Sequence, residues 1–181
     1  MNCCLPDTPD EPATDDESLP AVTGCATASG SCPHCRAVGR AVTRRTILLM
    51  LRPALFDRVG ETNWRFCAAP ACRVVYFAEE GEAVFTVAEL RVRVGVKERA
   101  DPVPLCYCFG FDAADVRAEI AQTGRSTIPQ RIAALVRQGL CACETRNPSG
   151  ACCFGEVNKT VRRLMDESQS DAQCEGVTCK T

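Results

Sequence analysis

The cysteines constrain this chain more than any other feature. Fifteen of its 181 residues are Cys, and most come in close sets. CPHC spans 32 to 35, CAAPAC spans 67 to 72, CYC spans 106 to 108, CAC spans 141 to 143, and Cys152 and Cys153 are adjacent. At about 8% of the chain, this is the level at which disulfide scaffolds or metal sites lead the explanations. The count is odd, so internal disulfides cannot use every thiol. The opening MNCCLPDTPDEPATDDESLP has neither the basic flank nor the apolar run of an export signal. The expected location is therefore cytoplasmic, where clustered cysteines read as thiolate metal sites.

The rest of the composition removes several classes of function. Net charge is -2 with scattered basic residues, which lacks the concentrated positive footprint of a nucleic-acid binder. The longest apolar run, TILLMLRPALF at 46 to 56, is broken by Arg52 and Pro53 and is too short for a bilayer span. No membrane insertion is expected. Phosphate-binding and zinc-protease motifs are missing, and His34 is the single histidine, so triad or acid–base chemistry has little to build on.

Along the chain the patterning divides. Residues 1–22 read as a flexible acidic lead, 23–100 as a metal-binding unit with a β-hairpin, 101–167 as a helical unit, and 168–181 as a polar tail with Cys174 and Cys179. In the first unit, Thr46 to Leu55 suits either a short helix ending before Pro53 or a strand and turn. The runs VVYF and AVFTV flank AEEGE, which predicts a hairpin whose turn leaves Glu79, Glu80 and Glu82 in water. Val92, Val94 and Val96 alternate with Arg91, Arg93 and Lys97, predicting a further strand with the basic residues facing solvent. DPVP at 101 to 104 interrupts regular structure.

Beyond it the period becomes helical. One helix is predicted over 112–124, with Asp112 as N-cap, Val116 and Ile120 inward and Gly124 as the stop. A second covers 126–139, with a Ser/Thr cap, Pro129 in its first turn, and Ile132, Leu135 and Val136 inward. A third runs from about Glu156 to Met165 on Val157, Val161 and Leu164. The fold class is α+β: a small zinc-binding β-hairpin domain followed by a small helical domain.

Two knuckles, C-x2-C and C-x4-C, make a closed tetrahedral set, the expectation for structural Zn2+ on Cys32, Cys35, Cys67 and Cys72. His34 is expected to point away as a solvent-facing spacer, though His34 or Cys25 as a replacement ligand stays open. Trp64, Phe66, Val74, Val75 and Phe77 are expected to pack around this site. In the helical unit, Cys106, Cys108, Cys141, Cys143, Cys152 and Cys153 all fall in loops at helix ends. Tetrahedral sulfur sites there suit either iron–sulfur or zinc, and amides at helix starts stabilise negative sulfur.

Residues 105–165, with C-x-C before the first helix, later cysteine pairs and the helix GEVNKTVRRLM, resemble the bacterioferritin-associated ferredoxin-like [2Fe-2S] module. Together with FCAAPACRVVYF and the insert NPSGACC, most of residues 30–165 resemble the zinc- and iron–sulfur-containing amino-terminal domain of CopZ-type copper chaperones. The resemblance implies zinc in the first unit and a [2Fe-2S] cluster in the second. By motif, Cys106 and Cys108 would supply two cluster ligands, and Cys143 and Cys153 the others because they bracket the NPSG turn. Cys141 and Cys152 remain alternatives.

The family's appended heavy-metal-associated domain is expected to be absent here. The implied role is a metal-homeostasis protein that transfers one electron, reduces Cu(II) to Cu(I) and supports its delivery to a copper transporter or separate metallochaperone. Its electron donor is unknown, and transient Cu+ binding is expected. Cys3, Cys4, Cys174 and Cys179 are further candidates for soft-metal capture. The alternatives are a ferredoxin-like partner in iron mobilisation and a zinc-bound soft-metal scaffold.

Overall fold

The structure, a computed structural model, describes residues 30–175, with side-chain environments as far as residue 170. Cys3, Cys4, Cys25 and Cys179, and the acidic lead, lie outside the described residues, as does the side chain of Cys174.

A four-stranded antiparallel sheet occupies the first half, in the order β1 (Arg40–Val42), β2 (Trp64–Phe66), β3 (Val74–Ala78) and β4 (Val84–Thr86). The predicted hairpin is β3 and β4. Every residue of β3 is buried, because this inner strand of VVYFA has neighbours on both edges and apolar groups on both faces. Its register slips between Val74 and Tyr76. That bulge breaks strict alternation: Val74 and Phe77 pack against the first cysteine group, while Val75, Tyr76 and Ala78 join the main core with Ile47, Leu51, Trp64, Phe66 and Phe85.

Between β1 and β2 the ambiguous segment is helical, α1 (Arg44–Met50). Thr43 caps it by accepting the Thr46 amide, and the chain is extended by Leu51, as expected just before Pro53. Pro53 then opens a 3-10 turn to Arg58.

The strand predicted from Val92, Val94 and Val96 does not form. Val94 is buried, but Val96 is 39% exposed, and Gly95–Lys97 make a 3-10 turn. Gly95 fixes this path: a Cβ there would lie 2.0 Å from the Pro104 carbonyl oxygen. The basic residues do not simply face water either. Arg91 donates to the Leu49 carbonyl, Arg93 pairs with Glu98, and Lys97 donates to two carbonyls of the 67–72 knuckle. Glu79, expected to be solvated, pairs with Arg65.

In the second half β5 (Pro104–Cys106) and β6 (Phe111–Asp112) form a small antiparallel pair. Then follow α2 (Ala113–Thr123), α3 (Ile128–Arg137), α4 (Cys143–Arg146) and α5 (Phe154–Glu175). Asp112 and Asp115 form a reciprocal capping box at the start of α2, and Gly124 ends it in the left-handed conformation. Pro129 lies in the first turn of α3 as predicted, but its cap residue Thr127 makes no side-chain capping bond. Ser126 Oγ accepts the Ile128 amide at 3.3 Å, and Glu119 of α2 accepts from Ser126 Oγ, the Thr127 amide and Thr127 Oγ1.

Val116, Ile120, Ile128, Ile132, Val157, Val161 and Leu164 form a second apolar core. Helix α5 continues to Glu175, so residues 168–175 are helix where a polar tail was expected. Among the described residues, no helix is long and apolar enough to cross a membrane.

Candidate metal centres

The first centre is built by two turns and a strand. In CPHC, the Cys32 carbonyl accepts the Arg36 amide at 2.9 Å, the Cys32 amide reaches the Ala37 carbonyl at 2.8 Å, and Arg36 takes a left-handed φ of 65°. This folds Cys35 back beside Cys32. In the second knuckle the Cys72 amide donates to the Ala69 carbonyl at 3.1 Å, while the Cys67 amide donates to the Val75 carbonyl of β3 at 2.8 Å. Lys97 Nζ closes the same turn with 3.0 Å bonds to the carbonyls of Ala69 and Cys72.

The four thiol sulfurs lie within 4.8 Å of one another. Cys32 to Cys72 is 3.9 Å and Cys35 to Cys67 is 3.6 Å. Three of the four residues are buried. Burial pushes the Cys67 thiol up to about 12 and raises Cys72. Burial also acts upward on Cys35, but hydrogen bonds from the Ala37 backbone and the neighbouring thiols override it and bring Cys35 down. Four thiols in so small and dry a space cannot all ionise unless a cation compensates them. The donor set, four sulfurs and no open carboxylate, fits a closed zinc site. His34 does not point away as expected: its Nδ1 lies 3.5 Å from Cys72 Sγ.

The second centre lies where the β5–β6 turn meets the segment from α3 to α5. Cys106 ends β5, Cys108 sits in the turn, Cys143 opens α4 and Cys153 immediately precedes α5. Cys106, Cys108 and Cys153 are buried and Cys143 is half-buried, whereas Cys141 and Cys152 are exposed. Cys108 and Cys143 sulfurs are 3.7 Å apart. Cys153 shares hydrogen bonds with both Cys106 and Cys143, which draws Cys106 down to about 7 and Cys143 down to about 5 and drives Cys153 strongly upward. Burial raises Cys108 to about 11.

Backbone amides also aim at these sulfurs. The Ala142 amide lies 3.2 Å from Cys108 Sγ, and the nearby backbone of Cys108 and Phe109 favours the ionised Cys106 sulfur. An amide donor on Cys108 and neighbouring thiols that are mostly buried are chemistry that suits anionic sulfur in an iron–sulfur group.

Several contributors had no signal in the sequence. Tyr107, between the two turn cysteines, accepts the Gly95 amide at 2.8 Å and donates to the Arg93 carbonyl at 3.1 Å. Arg146 Nη1 donates to the Cys108 carbonyl at 3.0 Å. Thr46 and Tyr76, far away in sequence, donate to the carbonyls of Glu144 and Pro148.

Comparison with known proteins agrees with this geometry. A CopZ family model described as a zinc binding domain matches residues 29–91. The copper chaperone CopZ of Archaeoglobus fulgidus is 29% identical over 152 residues, spanning 82% of this chain and 72% of that protein. The X-ray structure of the Archaeoglobus fulgidus CopZ N-terminal domain superposes with a TM-score of 0.58 at 31% identity, covering 71% of this chain and 95% of the other. Four gathered thiols, an α+β architecture and these matches together make the chain a member of the family of the CopZ amino-terminal domain.

Proposed function

We propose that this protein is a cytoplasmic copper or soft-metal homeostasis protein in which two cysteine centres have separate tasks. Residues 23–100 form the zinc-binding unit, with Zn2+ held by Cys32, Cys35, Cys67 and Cys72 as a structural ion. Residues 101–167 form the redox unit, with a [2Fe-2S] group held by Cys106, Cys108, Cys143 and Cys153. The observation that carries the reading is the sorting of the six second-half cysteines by burial: Cys106, Cys108 and Cys153 are buried and Cys143 half-buried, with Cys108 and Cys143 sulfurs 3.7 Å apart and the Ala142 amide on Cys108, while Cys141 and Cys152 face solvent.

When bound, such a group supplies the exchange of one electron, which is the chemistry that Cu(II) requires to become Cu(I). The chain's own residues supply the rest. The Ala142 amide and the backbone of Cys108 and Phe109 stabilise anionic sulfur, and the apolar wall of Leu105, Val157 and Val161 limits water. Cys152 and Cys141 leave soft sulfur at the surface, where Cu(I) is preferred over Cu(II). The reduced ion then passes to a copper transporter or a separate metallochaperone, and the electron comes from a partner reductant.

Anaerobic purification with metal and sulfide analysis, and EPR before and after dithionite, tests this. About two irons, two sulfides and one zinc per chain, with a rhombic signal on reduction, are expected. Zinc alone, with no sulfide and no reducible chromophore, rejects the redox role.

A further inference from the structure

The segment from Cys143 to Cys153 carries two of the four second-centre cysteines, yet it has little regular structure of its own. Its single helical turn, α4, ends at Arg146. The rest is a local turn around Asn147, whose side chain accepts the Ser149 amide at 3.0 Å and donates to the Ala151 carbonyl at 2.7 Å. These bonds shape the segment but do not place it. Placement comes from outside, on two sides.

On one side Arg146 and the Ala142 amide tie it to Cys108. On the other it rests on the sheet half of the molecule. Thr46 Oγ1, fully buried on α1, donates to the Glu144 carbonyl at 2.6 Å, and accepts in turn from Thr43 Oγ1 at 2.8 Å. Tyr76 Oη donates to the Pro148 carbonyl at 2.7 Å, and Pro148 is itself fully buried. Gly150, with φ of 65°, passes so close to Val42 and Thr46 that a Cβ would come within 3.3 Å of Val42 Cγ2. The Tyr76–Pro148 bond is buried and the Thr46–Glu144 bond is part-buried, so loss of either hydroxyl leaves a carbonyl with restricted access to a replacement donor.

Tyr76 also belongs to the first centre's own framework. It stands four residues after Cys72, on the strand whose Val75 carbonyl anchors Cys67. We propose that Thr46 and Tyr76 are positioning residues for the second metal centre, fixing Cys143 and Cys153 against Cys106 and Cys108, so that the sheet half acts as the template for a site in the helical half. The cluster-related part rests on the redox reading above; the placement of the segment does not.

The test uses the full chain, purified anaerobically with its metals, as Tyr76→Phe, Thr46→Val and Thr46→Ser. Each of the first two removes one hydroxyl with little change in shape, and the serine variant restores it. Amide exchange of the 143–153 segment is expected to quicken about tenfold in Tyr76→Phe and Thr46→Val, as loss of one net hydrogen bond implies, and to stay within twofold in Thr46→Ser. Exchange in α2 should not change. Iron loss to a chelator should quicken by the same factor, and the EPR g-values of the reduced protein should shift, with zinc content unaltered.

Segment exchange within twofold of the parent in both Tyr76→Phe and Thr46→Val would overturn the proposal. So would a change of equal size in α2, which would mean general destabilisation. If the parent protein holds no iron and sulfide, the redox reading fails, while amide exchange still decides whether these two residues place the segment.

Discussion

Gly95→Ala is expected to destabilise the protein although glycine-to-alanine changes often stabilise. Gly95 does not use a left-handed φ, so backbone strain plays no part. The cost is steric: the new Cβ would meet the Pro104 carbonyl oxygen at 2.0 Å and its carbon at 3.1 Å, where ordinary contact begins near 3.4 Å. Both sides of the contact are backbone, so the 92–98 segment and β5 must separate by more than an ångström. Forced overpacking of this kind costs about 1–3 kcal/mol. Separation also strains the bond from the Gly95 amide to Tyr107 Oη, now 2.8 Å, for about 1 kcal/mol more. Reduced freedom in the unfolded chain returns about 0.4–1 kcal/mol.

The net loss is about 1–3.6 kcal/mol, or a fall of roughly 2–14 °C in Tm for a chain of this size. Thermal and urea melts of the metal-loaded protein, followed by far-UV circular dichroism, measure it. Gly60→Ala is the internal control, since nothing lies within 4 Å of its Cβ position; it should be neutral or slightly stabilising. A Gly95→Ala protein as stable as its parent, or a reversed ranking of the two variants, would refute the close-packing argument.

Cys72→Ser should lower bound zinc from about one per chain to near none, whereas His34→Ala should retain it, because His34 reaches only the Cys72 sulfur; zinc loss in His34→Ala would make the histidine a ligand. Cys143→Ser and Cys153→Ser should abolish iron and sulfide retention, and Cys141→Ser and Cys152→Ser should preserve it, with elemental analysis as the measure and the opposite pattern overturning the ligand assignment. The chain has two tyrosines, and burial pushes both phenols up, Tyr107 to about 12 and Tyr76 further. The folded protein should therefore show no phenolate absorbance near 295 nm at pH 10. The stability that these phenols contribute is full below the unfolded value of about 10 and falls as pH rises through it toward about 12. An early phenolate step in a still-folded protein would contradict their burial.

Much of this was legible in the sequence where local chemistry decides. The spacing of CPHC and CAAPAC marks a four-thiol site because knuckles close over few bonds, and Asp112 and Gly124 mark the ends of α2 through caps that need no distant partner. Other features depend on contacts far along the chain. β1 and β2 are three residues each and exist through pairing rather than propensity. The alternation of Val92, Val94 and Val96 suggested a strand, but the carbonyl of Pro104 dictates the path at Gly95. Thr46 opens the ambiguous 46–55 segment and Tyr76 sits in a strand run, and neither shows a distant partner until the 143–153 segment lies against them. Lys97 was placed in solvent by alternation and His34 by its position between two ligands; His34 is exposed, but neither reading registers that a folded turn offers sulfur and carbonyl partners within reach.

The order of the cysteines along the chain also sets a timetable for synthesis. The first four-thiol set is complete at residue 72, and β3 with Tyr76 ends six residues later. Cys153 emerges roughly 4–15 seconds after that, at ordinary rates of elongation. The surface that receives the late segment is thus made first. A nascent chain starved of metal at its early site would meet its later cysteines with an unfinished mould, and a shortage of one metal would show as defective loading of the other.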